Sequence, residues 1–415
     1  MKTIMIVTGE SSGELYGSLL AKVIKQRYPE IHIVGMGGER MKSAGVELIS
    51  GISSAFGISE VFSALRELNS ALKKLKKAIV ELIPDVIVLI DFPDFNLKIA
   101  DFAKSHNTKI LYYVSPQVWA WRKNRVKKIA RLVDRMAVIL PFEEEIYRRA
   151  GVRCEFVGHP IIEEIEEVLN LKDMFCDRLL SLNEKNITPN SILKRITNMT
   201  ELRTYFKASL GFDPNRPLLS LLPGSRPNEL KRHFPLIIEV VKNFKNDPEI
   251  NSDKDYQFCI PLALNINEIK YREYLEKLIQ EGAIIKKGEA IHALAASDMA
   301  IIASGTATLQ AAFLEVPMVV IYKLSSLSYI IGKMLVDIKY ISLVNILSEE
   351  KTVSELLQKK ANADNIIKEL KRIIFDAVYR EQMINQFRKV KELFIGLNAS
   401  KRVSEIIAEM AGWEQ

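Results

Sequence analysis

The sequence predicts an α/β protein made of two doubly wound units, each a parallel sheet covered by helices on both faces. Three observations carry that expectation. Short apolar runs, among them Thr3 to Val7, Asp85 to Ile90 and Leu218 to Leu222, do not alternate, as strands buried on both faces do not. Each runs into a turn bearing glycine or proline, and apolar residues then resume at helical spacing. Near Leu218 the pattern starts over, and 415 residues are ample for two cores.

In the first unit, Thr3 to Val7 is followed by Gly9-Glu10-Ser11-Ser12-Gly13-Glu14 and a helical stripe of Leu15, Leu19 and Val23. Backbone N–H groups at such a junction favour an anion, while Glu10 at the rim favours recognition of hydroxyls. Ile31 to Val34 is the next strand, entering Gly35-Met36-Gly37-Gly38. Phe56 to Lys77 reads as a helix with a wide apolar surface, assigned first to the core and second to a membrane face. Asp85 to Ile90 ends in Asp91, Pro93 stops the strand, and Phe95, Ile99, Phe102 and Ala103 form the following helix behind Asn96. Because ligands of open α/β sheets gather at strand carboxyl ends, Asp91 is a functional candidate and Asp94 a cap or site residue. Lys109 to Val114 leads into Ser115-Pro116-Gln117-Val118-Trp119-Ala120-Trp121-Arg122, a loop with two of the three tryptophans. Arg135 to Ile139 is the next strand.

From about Glu163 to Leu210 the text turns charged and asparagine-rich, and it reads as an insertion or linker with some helix. The second unit opens with Leu218 to Leu222, the turn Pro223-Gly224-Ser225-Arg226, and a stripe of Leu230, Phe234, Ile237, Ile238 and Val241. An arginine at a helix N-terminus suits a diphosphate. Tyr256 to Pro261 follows, then Asp298 to Ala303 with Ser304, Gly305 and Thr306 as phosphate-facing donors, then Pro317 to Tyr322. The tail from Ser354 to Glu414 is expected to be helical, without a strand.

Composition narrows the class. Apolar residues at 48% and charged residues at 26% exclude a disordered or collagen-like chain. Cys154, Cys176 and Cys259 have neither metal spacing nor a disulfide pattern, which fits a reducing cytoplasm. No run reaches the roughly 18 apolar residues of a spanning helix. The net charge of +7 is concentrated in Arg122 to Arg135, an amphipathic basic helix suited to anionic lipid or nucleic acid, or simply to a solvated face.

The segments VTGESSGELYGS, IDFPDFN, YYVSPQVWAWR, LPFEEEIY, FVGHP, LLPGSR, ASGTATLQAA and YISLVNIL, in this order along most of the chain, resemble the lipid-A-disaccharide synthase family. The resemblance implies a GT-B fold: a Rossmann-like domain of residues 1–163, a linker of 164–204 and a UDP-sugar domain of 205–394, with a helix of about 395–415 returning to the first. It implies inverting transfer of 2,3-diacylglucosamine from UDP-2,3-diacylglucosamine to 2,3-diacylglucosamine 1-phosphate, at the cytoplasmic face of the inner membrane, with peripheral attachment to an anionic surface. Asp91 and Glu10 are then the catalytic candidates. Gly9, Ser12, Gly13, Asp94, Asn96, Ser115, Trp119, Arg122, Gly224, Ser225, Arg226, Ser304, Gly305, Thr306, Gln310 and Asn345 are the substrate-binding candidates. Gln310 stands where a glutamate is expected. No cofactor, metal or nucleic-acid partner is expected, and no oligomeric state is implied. The rival readings are another UDP-sugar enzyme of this fold, such as a UDP-N-acetylglucosamine 2-epimerase or a peptidoglycan-lipid glycosyltransferase, and a basic RNA-binding module.

Overall fold

The computed structural model describes residues 2–51, 61–119, 125–169, 199–250, 255–323 and 339–413. Phe56, Ile58, Trp121, Arg122 and Lys123, with most of the expected linker, lie outside the described residues. Two compact units emerge: Met1–Glu164 with Gly396–Gln415, and Ile165–Ile395.

The first unit holds a seven-stranded parallel sheet of β1 (Thr3–Val7), β2 (His32–Gly37), β3 (Glu47–Gly51), β4 (Val86–Ile90), β5 (Lys109–Tyr113), β6 (Arg135–Val138) and β7 (Cys154–Phe156), in the order β3-β2-β1-β4-β5-β6-β7. The second holds β8 (Leu218–Leu222), β9 (Gln257–Leu262), β10 (Ala283–Lys287), β11 (Met299–Ala303), β12 (Met318–Tyr322) and β13 (Ser354–Leu357), all parallel, in the order β10-β9-β8-β11-β12-β13. Counted from the first strand of each unit, both sheets follow the 3-2-1-4-5-6 order of a doubly wound dinucleotide-binding fold. The central strands β1, β4, β8 and β11 are buried along their whole length, as their unbroken apolar runs require.

One polar device is repeated between the units. Asp85, just before β4, accepts the N–H of Thr3 at 2.7 Å, and Asp298, just before β11, accepts that of Leu218 at 2.8 Å. Each carboxylate satisfies the first donor of the neighbouring strand and sets the register there. A third, Asp134 before β6, does the same for Ile110 at 2.8 Å.

The tail departs from the helical expectation. Ser354–Leu357 is β13, paired with β12 from Val319↔Ser354 to Tyr322↔Leu357. It is an edge strand of four residues with alternating burial, too short to show a strand period beside the helices that follow. The last helix, Ala399–Ala411, packs in the first unit: Arg402 pairs with Glu155, Arg135 with Glu409 at 2.5 Å and Arg27 with Glu405 at 3.1 Å. The helix Met199–Ser209 packs in the second unit, where Arg203 donates to the carbonyls of Ser297 (2.8 Å) and Glu315 (2.7 Å). Among the described residues no helix is long and apolar enough to cross a membrane.

Candidate active site

In the first unit the candidates meet at the carboxyl ends of β1, β4 and β5. Asp91 follows β4 directly, half-buried, with φ 46°, and Phe92 follows with φ 47°. Two successive non-glycine residues in the left-handed region cost about 1–3 kcal/mol each, so their surroundings must hold them there. The Asp91 N–H donates to the Val114 carbonyl at 3.2 Å. Its carbonyl receives two donors, Tyr112 Oη at 2.7 Å and Asn96 Nδ2 at 2.7 Å. Val114 is itself left-handed, with φ 63°, which turns the chain out of β5.

The Phe92 ring stacks on Phe95 with centroids 5.4 Å apart and lies over Gly9, where a Cβ would come within 2.2 Å of it. Gly9 is therefore a requirement of packing: a side chain there would evict the ring. Glu10 is the N-cap residue of the helix Ser11–Arg27, although its carboxylate does not serve as the cap. Ser12 is half-buried in the first turn and Gly13 is buried.

Asn96 is wholly buried, and its Nδ2 also reaches the carbonyls of Ile90 (3.1 Å) and Val7 (3.5 Å). It lies beneath Asp91, tying the ends of β1 and β4 together. Asp94 sits in the first turn of the helix Pro93–Ser105 and pairs with Arg125 of the basic helix Arg125–Leu132.

The loop after β5 is organised by a residue that sequence reasoning passed over. Glu143 is 1% exposed, and its Oε1 meets Ser115 Oγ at 2.7 Å and Trp119 Nε1 at 3.2 Å, while Oε2 accepts the Leu140 N–H at 3.2 Å. Burial pushes its carboxyl up to about 7, the three donors holding it lower than burial alone would. Ser115 Oγ also lies 3.0 Å from the Pro116 carbonyl, so the same positions serve both protonation states. Ionised, Glu143 accepts the Ser115 proton; neutral, it donates to Ser115 Oγ, which donates to Pro116. Ser115 and Trp119 thus direct their polar atoms inward. The only sequence signal was the first glutamate of LPFEEEIY, which in the sequence looks no different from the half-buried Glu144 and the exposed Glu145 beside it.

In the second unit the turn after β8 leads into the helix Pro227–Lys245, with Arg226 as its N-cap residue. Gly224 has φ 102°, and a Cβ there would lie 2.4 Å from the Glu229 carboxylate, so both conformation and space demand glycine. Ser225 follows it, exposed. Buried Glu229 accepts the Arg226 N–H at 3.4 Å and sits 3.7 Å from its guanidinium, whose side chain is 66% exposed. Burial raises the Glu229 carboxyl, and Arg226 pulls it back.

Below this turn, His233 is fully buried and bridges two strand ends. The Lys323 N–H can only donate, at 3.0 Å to Nε2, so Nδ1 carries the proton and donates to the Pro223 carbonyl at 2.7 Å. Burial lowers its pKa, which keeps the ring neutral.

Ser304 directly follows β11, at the position Asp91 holds after β4, and its Oγ donates to the Ile341 carbonyl at 3.0 Å. Gly305 caps the helix Thr306–Phe313, with Thr306 and Gln310 half-buried on it. Asn345 is wholly buried; its Nδ2 donates to Val353 O (3.0 Å) and Glu355 Oε1 (2.8 Å), and its Oδ1 accepts the Val353 N–H (2.8 Å). Glu355 also accepts from Ile341 N, Ser342 N and Ser342 Oγ, so it pins the segment that meets Ser304. Unlike Glu143, it lies in none of the segments that carried the family resemblance.

A family model described as lipid-A-disaccharide synthetase matches residues 4–191 and 189–407. The chain belongs to the lipid-A-disaccharide synthase family. The family's enzyme from Geobacter sulfurreducens is 37% identical over 99% of this chain and 97% of its own length. That from Nitrosococcus oceani is 35% identical over 98% and 96%. As a lipid-A-disaccharide synthase the protein is a glycosyltransferase of lipid A biosynthesis. Solved structures similar to it include S. aureus MnaA with UDP (TM-score 0.64, 12% identity, covering 100% of this chain and 98% of that one). The UDP-GlcNAc 2-epimerase of Neisseria meningitidis bound to UDP-GlcNAc gives a TM-score of 0.61 at 11% identity, with full coverage of both chains. At such identity the likeness establishes a GT-B-like fold alone, and the sequence family, not the fold, separates this synthase from the epimerases.

Proposed function

We propose that the protein transfers 2,3-diacylglucosamine from UDP-2,3-diacylglucosamine to the 6-hydroxyl of 2,3-diacylglucosamine 1-phosphate, with Asp91 as general base. The observation that carries this reading is the half-buried Asp91, held in a left-handed conformation at the carboxyl end of β4. Inversion at the anomeric carbon needs one base on the acceptor hydroxyl, and UDP leaves as its diphosphate gains positive potential. Arg226 at the N-terminus of the helix Pro227–Lys245, and the Gly305 and Thr306 N–H groups that open the helix Thr306–Phe313, supply that potential, while Ser304, whose Oγ donates to the Ile341 carbonyl, holds the second of these turns in shape. Gly9, Glu10, Ser12, Gly13 and Asp94 of the first unit bind the acceptor, and Gly224, Ser225 and Gln310 of the second bind UDP. Asn96 and Asn345 act from below, as supports. The protein docks on an anionic membrane surface through exposed bases of the helix Arg125–Leu132, where Lys127, Lys128 and Arg131 face solvent while Ile129 is buried.

The test is mass spectrometry of the lipid formed from both acylated glucosamine substrates by wild type and Asp91→Asn. The amide keeps shape and hydrogen bonding but takes no proton, so kcat should fall about 10²-fold or more with UDP affinity unchanged. Wild-type turnover in the variant removes Asp91 from the role; no disaccharide from wild type removes the reaction.

A further inference from the structure

We infer that Tyr112 is a positioning residue for the transfer step: its hydroxyl holds the Asp91 backbone in the conformation that sets where the carboxylate points. The inference rests on the reading of Asp91 as the base. Asp91 and Phe92 occupy the left-handed region consecutively, at φ 46° and 47°, and an extended backbone there would send the carboxylate elsewhere. Something must hold the peptide between them, and its carbonyl oxygen belongs to Asp91. That oxygen has two lone pairs, filled by Tyr112 Oη and Asn96 Nδ2, each at 2.7 Å. With the Asp91 N–H donated to Val114, both backbone polar groups of the residue are tied down.

The two donors are not equivalent. Asn96 spreads one NH2 group over three carbonyls and also joins β1 to β4, so its loss would disturb the sheet. Tyr112 lies on β5 opposite Leu89 of β4, fully buried, where phenylalanine would fill the same space without a hydroxyl to satisfy. The hydroxyl therefore adds direction, not packing. It also stays protonated: burial, and next the charge of Asp91, raise its pKa well above the ordinary tyrosine value, so it remains a donor at neutral pH.

The experiment compares Tyr112→Phe, Asp91→Asn and the double variant in the same disaccharide assay, with UDP binding by calorimetry and near-ultraviolet circular dichroism as the check on folding. Tyr112→Phe should lower kcat about 10-fold while KM and UDP affinity stay at wild-type values, because a misdirected base weakens the chemical step alone. In the Asp91→Asn background the same substitution should have no further effect, since its action passes through that carboxylate. Incorporation of 3-fluorotyrosine at position 112, which keeps the donor, should restore turnover. Wild-type kcat in Tyr112→Phe, with Asp91→Asn still impaired, overturns the inference and leaves the base assignment standing. A loss of equal size in the Asp91→Asn background, or no recovery with 3-fluorotyrosine, also overturns it. Wild-type turnover in Asp91→Asn takes down the base assignment and this inference together.

Discussion

Glu143 shows how a single buried carboxyl couples the site to pH. Its folded pKa of about 7 lies above the ordinary 4.5 because burial penalises the charged form. A carboxyl raised on folding binds its proton more tightly in the native state. Its contribution is therefore complete below pH about 4.5 and is lost as pH rises to about 7. The amount at stake is about 3 kcal/mol. Urea unfolding at pH 5 and pH 8, followed by tryptophan fluorescence, reports on the first unit, where Trp119 and Trp413 lie. Wild type should lose about 2–3 kcal/mol more than Glu143→Gln between those pH values; equal losses would mean that Glu143 is ionised throughout. His159 acts in the opposite sense, since burial lowers its pKa to about 3 and the unfolded chain takes up the proton below about 6.5.

At the scale of elements, the turn between β8 and the helix Pro227–Lys245 places at the helix N-terminus a forked cation whose side chain is 66% exposed. Glu229 keeps the first turn in place by accepting the Arg226 N–H, and its carboxylate lies 3.7 Å from the guanidinium. Arg226→Ala should weaken UDP binding by about 10-fold or more, and Arg226→Lys should recover only part, since an ammonium is a point charge that does not bridge two phosphate oxygens. Calorimetry with UDP decides it: the same affinity in all three proteins would place the diphosphate away from this turn.

For the molecule as a whole, the proposed membrane attachment rests on the basic helix Arg125–Leu132. Arg125 pairs with Asp94, so the exposed charge falls to Lys127, Lys128 and Arg131. Each base near an anionic surface contributes about 1 kcal/mol, enough together for roughly a hundredfold change in partitioning. Co-sedimentation with vesicles rich in anionic lipid should fall by that order when the three become glutamine, and should fall likewise in high salt. Binding indifferent to lipid charge, salt and the three substitutions would place the docking surface elsewhere, with the transferase assignment untouched.

What the sequence determined by itself was the interior of each sheet and the chemistry at its turns. The strands β1, β2, β4, β5, β6, β8, β9, β11 and β12 were legible because burial on both faces leaves an unbroken apolar run. The four strands not foreseen, β3, β7, β10 and β13, are the four sheet edges. These edge strands are covered only in part, and two of them are also shorter than the central strands, so their residues carry no full apolar run. Asp91, Gly9, Gly224 and Arg226 announced themselves as breaks in apolar or helical pattern. Glu143, Glu229, Glu355, His233 and Tyr112 did not, for a physical reason: a polar residue in a helix or strand reads as surface until the fold buries it. Only the tertiary structure brought Ser115 to Glu143 across 28 residues and Tyr112 to Asp91 across 21. Burial of a polar side chain, which no local pattern encodes, turned those ordinary residues into the supports of a site.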